Sequence, residues 1–346
     1  AIYLLFLMPF VYFATACFVV WLVKTSGIYP SGSDTMYHVY RGDYVYNAIK
    51  SGNWYPLYDP AWYNGVEILR YWSPFPAYVM AFCQYLAGGS QFGAYLFYIG
   101  GVCFLGACLW PFIGRGFNRP YLGAFIGLLW FFMPNNLCAI FIEGNLARSL
   151  SMIFLPVFIY SVYKYLYNHK LRYIPLMVFT FLLMELCHLG YAGMVAIAVI
   201  IYGIVYIIQK GRKKAVLDVV ISMIFGFMLL GIWLVASLRG GITSLDNSEN
   251  MANFFQNLWI TINPFERLTR GFEYFYFGFA TLVVIVFGIL FGYKKSRTGF
   301  VTGFIILLMT TKSAYAVLKH LPGSQYLWML RFISIALCMI LMSFLM

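Results

Sequence analysis

The chain has 346 residues, of which 62% are hydrophobic and only 10% are charged. Because soluble domains average about 25% charged residues, this composition excludes an ordinary soluble domain and indicates an integral membrane protein. The formal net charge of +12 is typical of nucleic-acid-binding proteins, but the placement of the basic residues argues against that class. Aromatic residues, at 21%, are abundant enough to form Trp and Tyr belts at the membrane interfaces.

Ten apolar runs predict transmembrane helices, because roughly 20 apolar residues are needed to cross the hydrocarbon core of a bilayer. The runs lie near residues 2–23, 90–113, 119–135, 147–167, 173–187, 190–209, 215–238, 273–292, 299–315 and 327–346. We therefore predict an all-α integral membrane protein of about ten spans. It forms a single transmembrane domain over residues 1–346.

The charged residues predict which loops face the cytoplasm. Twelve basic residues lie in or beside the short loops between alternate spans: Arg115, Arg119, Lys164, Lys170, Arg172, Lys210, Arg212, Lys213, Lys214, Lys294, Lys295 and Arg297. Of the eleven acidic residues, only Asp218 falls on the same side. By the positive-inside rule these loops are cytoplasmic, as are both ends of the chain. Such a strict separation is a topology signal, and nucleic acid is not an expected partner.

Residues 24–89 are predicted to form one large external loop. Within it, residues 35–50 have the spacing of an amphipathic helix on the membrane surface, ended by a Ser-Gly pair. Arg41 and Asp43 are expected on the solvated face of this helix. Residues 75–87 are apolar, but about 13 residues are too few for a full span and are more typical of a re-entrant segment.

Polar residues that can carry chemistry gather on the external side. They are Asp34 and His38 in the first external loop, Glu143 and Arg148 in the second, Glu185 and His188 at a predicted helix break, and Arg331 near the last span. Ionisable residues at membrane depth are costly and therefore tend to be functional. Carboxylates can orient or deprotonate an acceptor hydroxyl, or bind a divalent metal such as Mg²⁺ or Mn²⁺. Cations can hold a phosphate leaving group.

Five short motifs, in their order along the chain, resemble the GT-C class of membrane glycosyltransferases that use polyprenyl-phosphate-linked sugars. They are GSDTMYH at 32–38, SPFPAY at 73–78, EGNLARSL at 143–150, LCHLGYA at 186–192 and WMLRF at 328–332. Oligosaccharyltransferase catalytic subunits, protein mannosyltransferases and lipid A aminoarabinose transferases belong to this class. The motifs are most similar to a poorly characterised bacterial group of this type. Each motif is short, and their order and sidedness carry the resemblance.

The resemblance implies a reaction at the external leaflet of the plasma membrane. A hydroxyl of a cell-envelope glycan, lipid or protein would attack C1 of the sugar with inversion, while polyprenyl phosphate leaves. Asp34 would be the principal catalytic carboxylate and Glu143 the second. Arg331, supported by Arg148 and His188, would bind the donor phosphate. The residues that could hold a divalent metal are Asp34, His38 and Glu143.

Simpler structural roles are open for the same residues. Asp34 could cap the helix that follows it, and Glu143 could cap the 147–167 span. Arg331 could extend to the membrane interface, and His188 could merely accompany a helix break.

Two other classes of function are open. A transporter or flippase of lipid-linked saccharides would also need external cations and aromatic surfaces, although the inverted repeats common in transporters are not visible here. A non-catalytic subunit of an envelope-glycan assembly complex could keep the same scaffold without the activity. The presence of both Asp34 and Glu143 favours the enzyme.

Overall fold

The computed structural model describes residues 2–30, 32–62, 64–239, 279–320 and 327–346. Within these ranges the chain forms α-helices and no β-strand, which confirms the all-α fold class there. The helices are α1 (Ile2–Ser26), α2 (Thr35–Lys50), α3 (Ile68–Tyr71), α4 (Phe75–Leu86), α5 (Gln91–Gly116), α6 (Pro120–Trp130), α7 (Pro134–Phe141), α8 (Leu146–Asn168), α9 (Tyr173–Lys210), α10 (Lys213–Leu229), α11 (Gly231–Arg239), α12 (Phe279–Phe291), α13 (Lys294–Met309), α14 (Lys312–Leu318) and α15 (Phe332–Phe344). A 3-10 turn, Met329–Arg331, leads into α15.

Several of these helices are candidate membrane spans by length and composition. Among the described residues α1, α5, α8 and α9 are each long and apolar enough to cross a bilayer. The bent pairs α6–α7 and α10–α11, with angles of 44° and 62°, raise the number of spans from four to six if each pair is one span. The predicted external loop at 239–272 lies outside the described residues except for Arg239, as does the start of the span predicted at 273–292.

Helix α9 reverses direction at its middle. His188 interrupts it with extended backbone angles, φ −158° and ψ 93°. A straight helix of 38 residues would separate its ends by about 57 Å. Yet Arg212, just beyond the C-terminal end, contacts His169, which lies shortly before the N-terminal end. The two halves of α9 are therefore antiparallel, and the predicted break in LCHLGYA is confirmed.

The helix bundle has two chemically different ends. At one end the basic loops lie together: Arg119 donates to the carbonyl of Phe344 at 3.1 Å, and Tyr167 donates to the carbonyl of Lys295 at 3.3 Å. We call this the basic end, defined by the loops at residues 115–119, 168–172, 210–214 and 292–297. The opposite end, which we call the polar end, is defined by Asp34, Glu143, Arg148, His188 and Arg331. Among the described residues, the basic loops and the charges of the candidate site, which the sequence assigned to opposite sides, thus lie at opposite ends.

The first external loop folds into helices that pack on one another. Helix α2 has the predicted limits, and its Val39 and Val45 are buried. It approaches α4 so closely that a Cβ on Gly42 would lie 2.2 Å from the Cγ of Met80. The apolar segment predicted as re-entrant is α4 itself, a helix of 12 residues. One face of α2 is therefore an interior face.

The prediction that Arg41 is solvated is wrong, and Asp43 is only partly exposed. Arg41 is only 2% exposed, and its guanidinium donates to the carbonyls of Trp72 and Ser73 at 3.4 and 3.3 Å. Asp43 accepts a hydrogen bond of 2.6 Å from the amide of Gln84. Because the glycine between these two residues lets α2 approach α4, both polar side chains form hydrogen bonds within the protein, and Arg41 is buried.

Candidate functional site

Two loops meet at the polar end through their backbones. The N–H of Asp34 donates to the carbonyl of Glu143 at 3.0 Å, and the hydroxyl of Ser33 donates to the same carbonyl at 2.9 Å. Gly144 has φ +65°, and a Cβ there would lie 2.2 Å from Oγ1 of Thr35. Only glycine combines this left-handed backbone with so close an approach. The motifs GSDTMYH and EGNLARSL therefore form one unit, which places Asp34 beside Glu143.

The Asp34 side chain does not cap α2. Although Asp34 occupies the N-cap position, its carboxylate makes no capping hydrogen bond, and its own backbone is in the helical region. The side chain instead accepts from the hydroxyl of Ser33 at 3.3 Å and is half-buried. Burial raises the pKa of Asp34 above its ordinary value, opposed mainly by the positive charge of Arg331. Asp34 therefore occupies the N-cap position without a capping side chain, and its carboxylate lies within the electrostatic influence of Arg331 and Arg148.

Glu143 lies between two arginines. Its Oε1 accepts from Nη2 of Arg148 at 2.5 Å, and its Oε2 lies 3.6 Å from Nε of Arg331. The Arg148 side chain is completely buried, and its Nε and Nη1 have no hydrogen-bond partner among the described residues. The residue that caps α8 is Asn145, which accepts from the N–H of Arg148. The capping role considered for Glu143 is therefore wrong.

Arg331 faces inward instead of extending to the membrane interface. It lies at the end of the 3-10 turn before α15, and its guanidinium packs over the ring of Trp328 at 4.9 Å. Its side chain is 12% exposed. Besides Glu143, it approaches His188, with 3.3 Å between Nη1 and Nε2. The interfacial role considered for Arg331 is contradicted by these contacts.

The contact between His188 and Arg331 joins two hydrogen-bond donors. Nδ1 of His188 accepts from the N–H of Tyr191 at 3.1 Å, and on this contact we assign the neutral imidazole the tautomer with its proton on Nε2. In this tautomer the two N–H groups at the 3.3 Å contact face each other, because a guanidinium has no acceptor. Such a pair is unfavourable alone and becomes favourable when both groups donate to one shared oxygen. Phosphate oxygens are well suited to that position.

His38 is close enough to Arg331 to be affected by its charge. Burial and the nearby charges of Arg41 and Arg331 lower the pKa of His38 to about 3, so its imidazole is neutral. In the described part of the chain, no three His, Cys, Asp or Glu residues are grouped to hold a metal. Both oxygens of Glu143 face arginines, which would also repel a cation. The set of Asp34, His38 and Glu143 stays a prediction as a site for a divalent metal.

Several residues of the site were not singled out from the sequence. Ser33 joins the two loops, Gly144 permits their approach, and Ser73 contacts the break in α9. Gly144 stands beside the candidate Glu143, and a glycine next to a polar residue is a usable signal for close backbone approach. Ser73 gives no local signal, because its partners lie 112 and 116 residues further along the chain.

Fold and site together define a multi-pass α-helical membrane protein with buried arginines and carboxylates at one end of its bundle. The chain belongs to the family described as 6-pyruvoyl-tetrahydropterin synthase related domain, membrane protein, which matches residues 69–346. The matched region contains Glu143, Arg148, His188 and Arg331, whereas Asp34 precedes it. Neither a curated protein nor a solved structure matches the chain.

Proposed function

We propose that this protein is a membrane glycosyltransferase of the GT-C type. It moves a sugar from a polyprenyl-phosphate donor to a glycan, lipid or protein acceptor of the cell envelope, with inversion at C1. The observation that carries the proposal is the donor pair of His188 and Arg331, beside the buried Arg148 and the half-buried Asp34.

The phosphate of the donor lipid lies against the donor pair. Nε2 of His188 and Nη1 of Arg331 donate to it, and Arg148 adds its positive charge from a position without solvent access. In a site of low dielectric constant such donors are worth more than in water. They stabilise the negative charge that grows on the phosphate as the bond from C1 breaks. Glu143 holds the two arginines in place and limits the cost of burying them.

Asp34 acts on the acceptor. The hydroxyl oxygen of the acceptor attacks C1, the hydroxyl proton passes to the Asp34 carboxylate, and the bonding electrons of the C1–O bond leave with polyprenyl phosphate. The carboxylate is suited to this role because it is partly accessible and is not used as a helix cap. General-base assistance of this kind typically contributes 10²–10⁴-fold in rate.

The proposed setting is the plasma membrane, with the polar end on the extracytoplasmic side and about ten spans in total. The location of the basic loops at the other end of the bundle supports this orientation by the positive-inside rule. The antiparallel halves of α9 supply two of the proposed spans. The membrane-protein part of the family description agrees with this setting.

The test is transfer by the purified protein in lipid nanodiscs. The substrates are a polyprenyl-phosphate-linked sugar and an envelope acceptor fraction, and released polyprenyl phosphate is measured. Asp34→Ala is expected to abolish transfer and to keep wild-type expression and thermal stability. Glu67→Gln is the matched control, because Glu67 belongs to the same loop but pairs with Arg70 at the surface. Wild-type turnover by Asp34→Ala would refute the assignment, and movement of intact donor across the bilayer without transfer would indicate a flippase.

A further inference from the structure

We propose that Ser73 is a positioning residue, which fixes the break in α9 and thereby the orientation and tautomer of His188. The inference rests on the proposed role of His188 in binding lipid phosphate. Ser73 belongs to the loop between α3 and α4, far from His188 in sequence, and it is 8% exposed.

Ser73 occupies the place of a helical hydrogen bond. In a continuous helix the N–H of Leu189 would donate to the carbonyl of Glu185, four residues earlier. Here the Ser73 hydroxyl stands between the two groups: it donates to the Glu185 carbonyl at 2.9 Å and accepts from the Leu189 N–H at 3.3 Å. A side chain inserted into the hydrogen-bond ladder is a known cause of a sharp helix break. Both backbone groups are satisfied although the helix is interrupted.

The insertion determines what His188 can do. Because the ladder is open, His188 takes an extended backbone, and its Nδ1 can accept from Tyr191 at 3.1 Å, as an N-cap residue would. The other ring nitrogen then carries the proton and faces Arg331. Without the Ser73 hydroxyl, the Glu185 carbonyl and the Leu189 N–H can bond to each other. Closing the ladder would draw the imidazole away from Arg331.

The loop that carries Ser73 is held from α2. The buried Arg41 donates to the carbonyls of Trp72 and Ser73, and its guanidinium packs over the Trp72 ring at 5.5 Å. This chain of contacts runs from the helix that begins beside Asp34 to the break that presents His188. It gives the enclosed Arg41 a role, which is to fix the position of Ser73.

The tautomer of His188 is the direct readout. The full chain is labelled with ¹⁵N-histidine in nanodiscs, and its four histidines are assigned with a His188→Gln variant. Wild type is expected to show an unprotonated Nδ1 and a protonated Nε2 for His188. In Ser73→Ala the ¹⁵N chemical shifts of the two ring nitrogens are expected to move toward a common average, because both tautomers are populated. In Ser73→Cys, whose thiol is a weaker hydrogen-bond partner, the shifts are expected to lie between those of wild type and Ser73→Ala. Ser222→Ala is the matched control, since it removes another buried hydroxyl from the bundle.

Binding of farnesyl phosphate, with farnesol as the blank, is the second readout. Ser73→Ala is expected to weaken binding about tenfold, as for loss of one hydrogen bond to a charged group, and to have no further effect in a His188→Gln background. Unchanged His188 signals in Ser73→Ala, or an equal loss of binding in both backgrounds, would overturn the inference. Failure of wild type to bind farnesyl phosphate would refute the proposed function, while the tautomer signals would still decide the role of Ser73. If Ser73→Ala does not fold, the signals of Ser73→Cys decide it.

Discussion

The two ends of the bundle use positive charge in different ways. At the basic end, Arg119 and Arg297 reach backbone carbonyls near helix termini, with hydrogen bonds partly in contact with solvent. At the polar end, Arg148 is completely buried and Arg331 nearly so, and they share one carboxylate. The basic end holds more cations, but the polar end holds the cations that have lost water.

This difference separates topology from chemistry. A solvated arginine at a helix end gains little from its contacts and costs little, and it orients the protein in the membrane. A buried arginine carries a desolvation cost that its ion pair repays only in part. Residues of the second kind are retained where their charge is used, which is the reason to place the function at the polar end.

The largest expected effect is a difference in transfer rate between two matched arginine substitutions, one at each end of the bundle. Arg331→Gln should reduce the rate of transfer by about 10²–10³-fold, because a donor to the developing phosphate charge is lost. Arg119→Gln should leave the rate unchanged. The rates are measured in nanodiscs with saturating donor. Equal transfer rates for the two variants would contradict the claim that the function lies at the polar end.

Stability should differ between the ends as well. Arg148→Met leaves Glu143 with only the longer contact to Arg331, and breaking a buried ion pair in this way costs about 3–5 kcal/mol in the free energy of unfolding. Arg119→Met, at an exposed hydrogen bond, should cost less than about 1 kcal/mol. Urea titration in detergent micelles measures both. A cost below about 1 kcal/mol for Arg148→Met would show that Glu143 is not destabilised by losing Arg148 as its partner.

Two glycines with the same backbone conformation offer a smaller test. Gly144 at the polar end and Gly211 at the basic end have φ of +65° and +69°, but only at Gly144 would a Cβ collide with a neighbour, Thr35. Gly144→Ala should therefore destabilise the protein by more than the roughly 1 kcal/mol expected of Gly211→Ala from its backbone conformation alone. Thermal unfolding of the two variants provides the comparison. Equal losses would mean that the Asp34 and Glu143 loops are not in close contact.

The pH dependence of the transfer rate should reflect the raised pKa of Asp34 at the polar end. Asp34 must be ionised to accept a proton, and burial raises its pKa, opposed by Arg331, Ser33 and Arg148 and reinforced by Glu143. Activity should therefore fall, on acidification, at a higher pH than for an exposed aspartate. The acid limb is recorded for wild type and for the control Glu67→Gln, which should coincide. An acid limb at or below the ordinary aspartate range would argue against Asp34 as the base.

Much of the architecture was predictable because membrane helices are encoded locally. Helix α2 has its predicted limits, and the break at His188 follows from a polar pair inside an apolar run. The grouping of the basic loops followed from charge alone. The candidates Glu143, Arg148, His188 and Arg331 lie together, as the charge pattern predicts by placing all four on one side of the bundle.

What the sequence did not reveal are contacts that depend on distant partners. Arg41 appeared solvated because nothing local shows that Gly42 lets α2 pack on α4. Asn145, two residues after Glu143, is the true cap of α8, and this frees the carboxylate for the arginines. The insertion of Ser73 into the hydrogen-bond ladder of α9 joins segments more than 100 residues apart. No sequence pattern in either segment predicts this contact.

A structure of the protein with polyprenyl phosphate bound in nanodiscs would be decisive. The phosphate is expected within hydrogen-bond distance of Nε2 of His188 and the guanidinium of Arg331, with Asp34 on its open side and the polyprenyl chain leading into the lipid. A phosphate bound at the basic end, beside Lys164 and Arg172, would contradict a transferase site at the polar end. Lipid continuous through the bundle from one end to the other would contradict it equally.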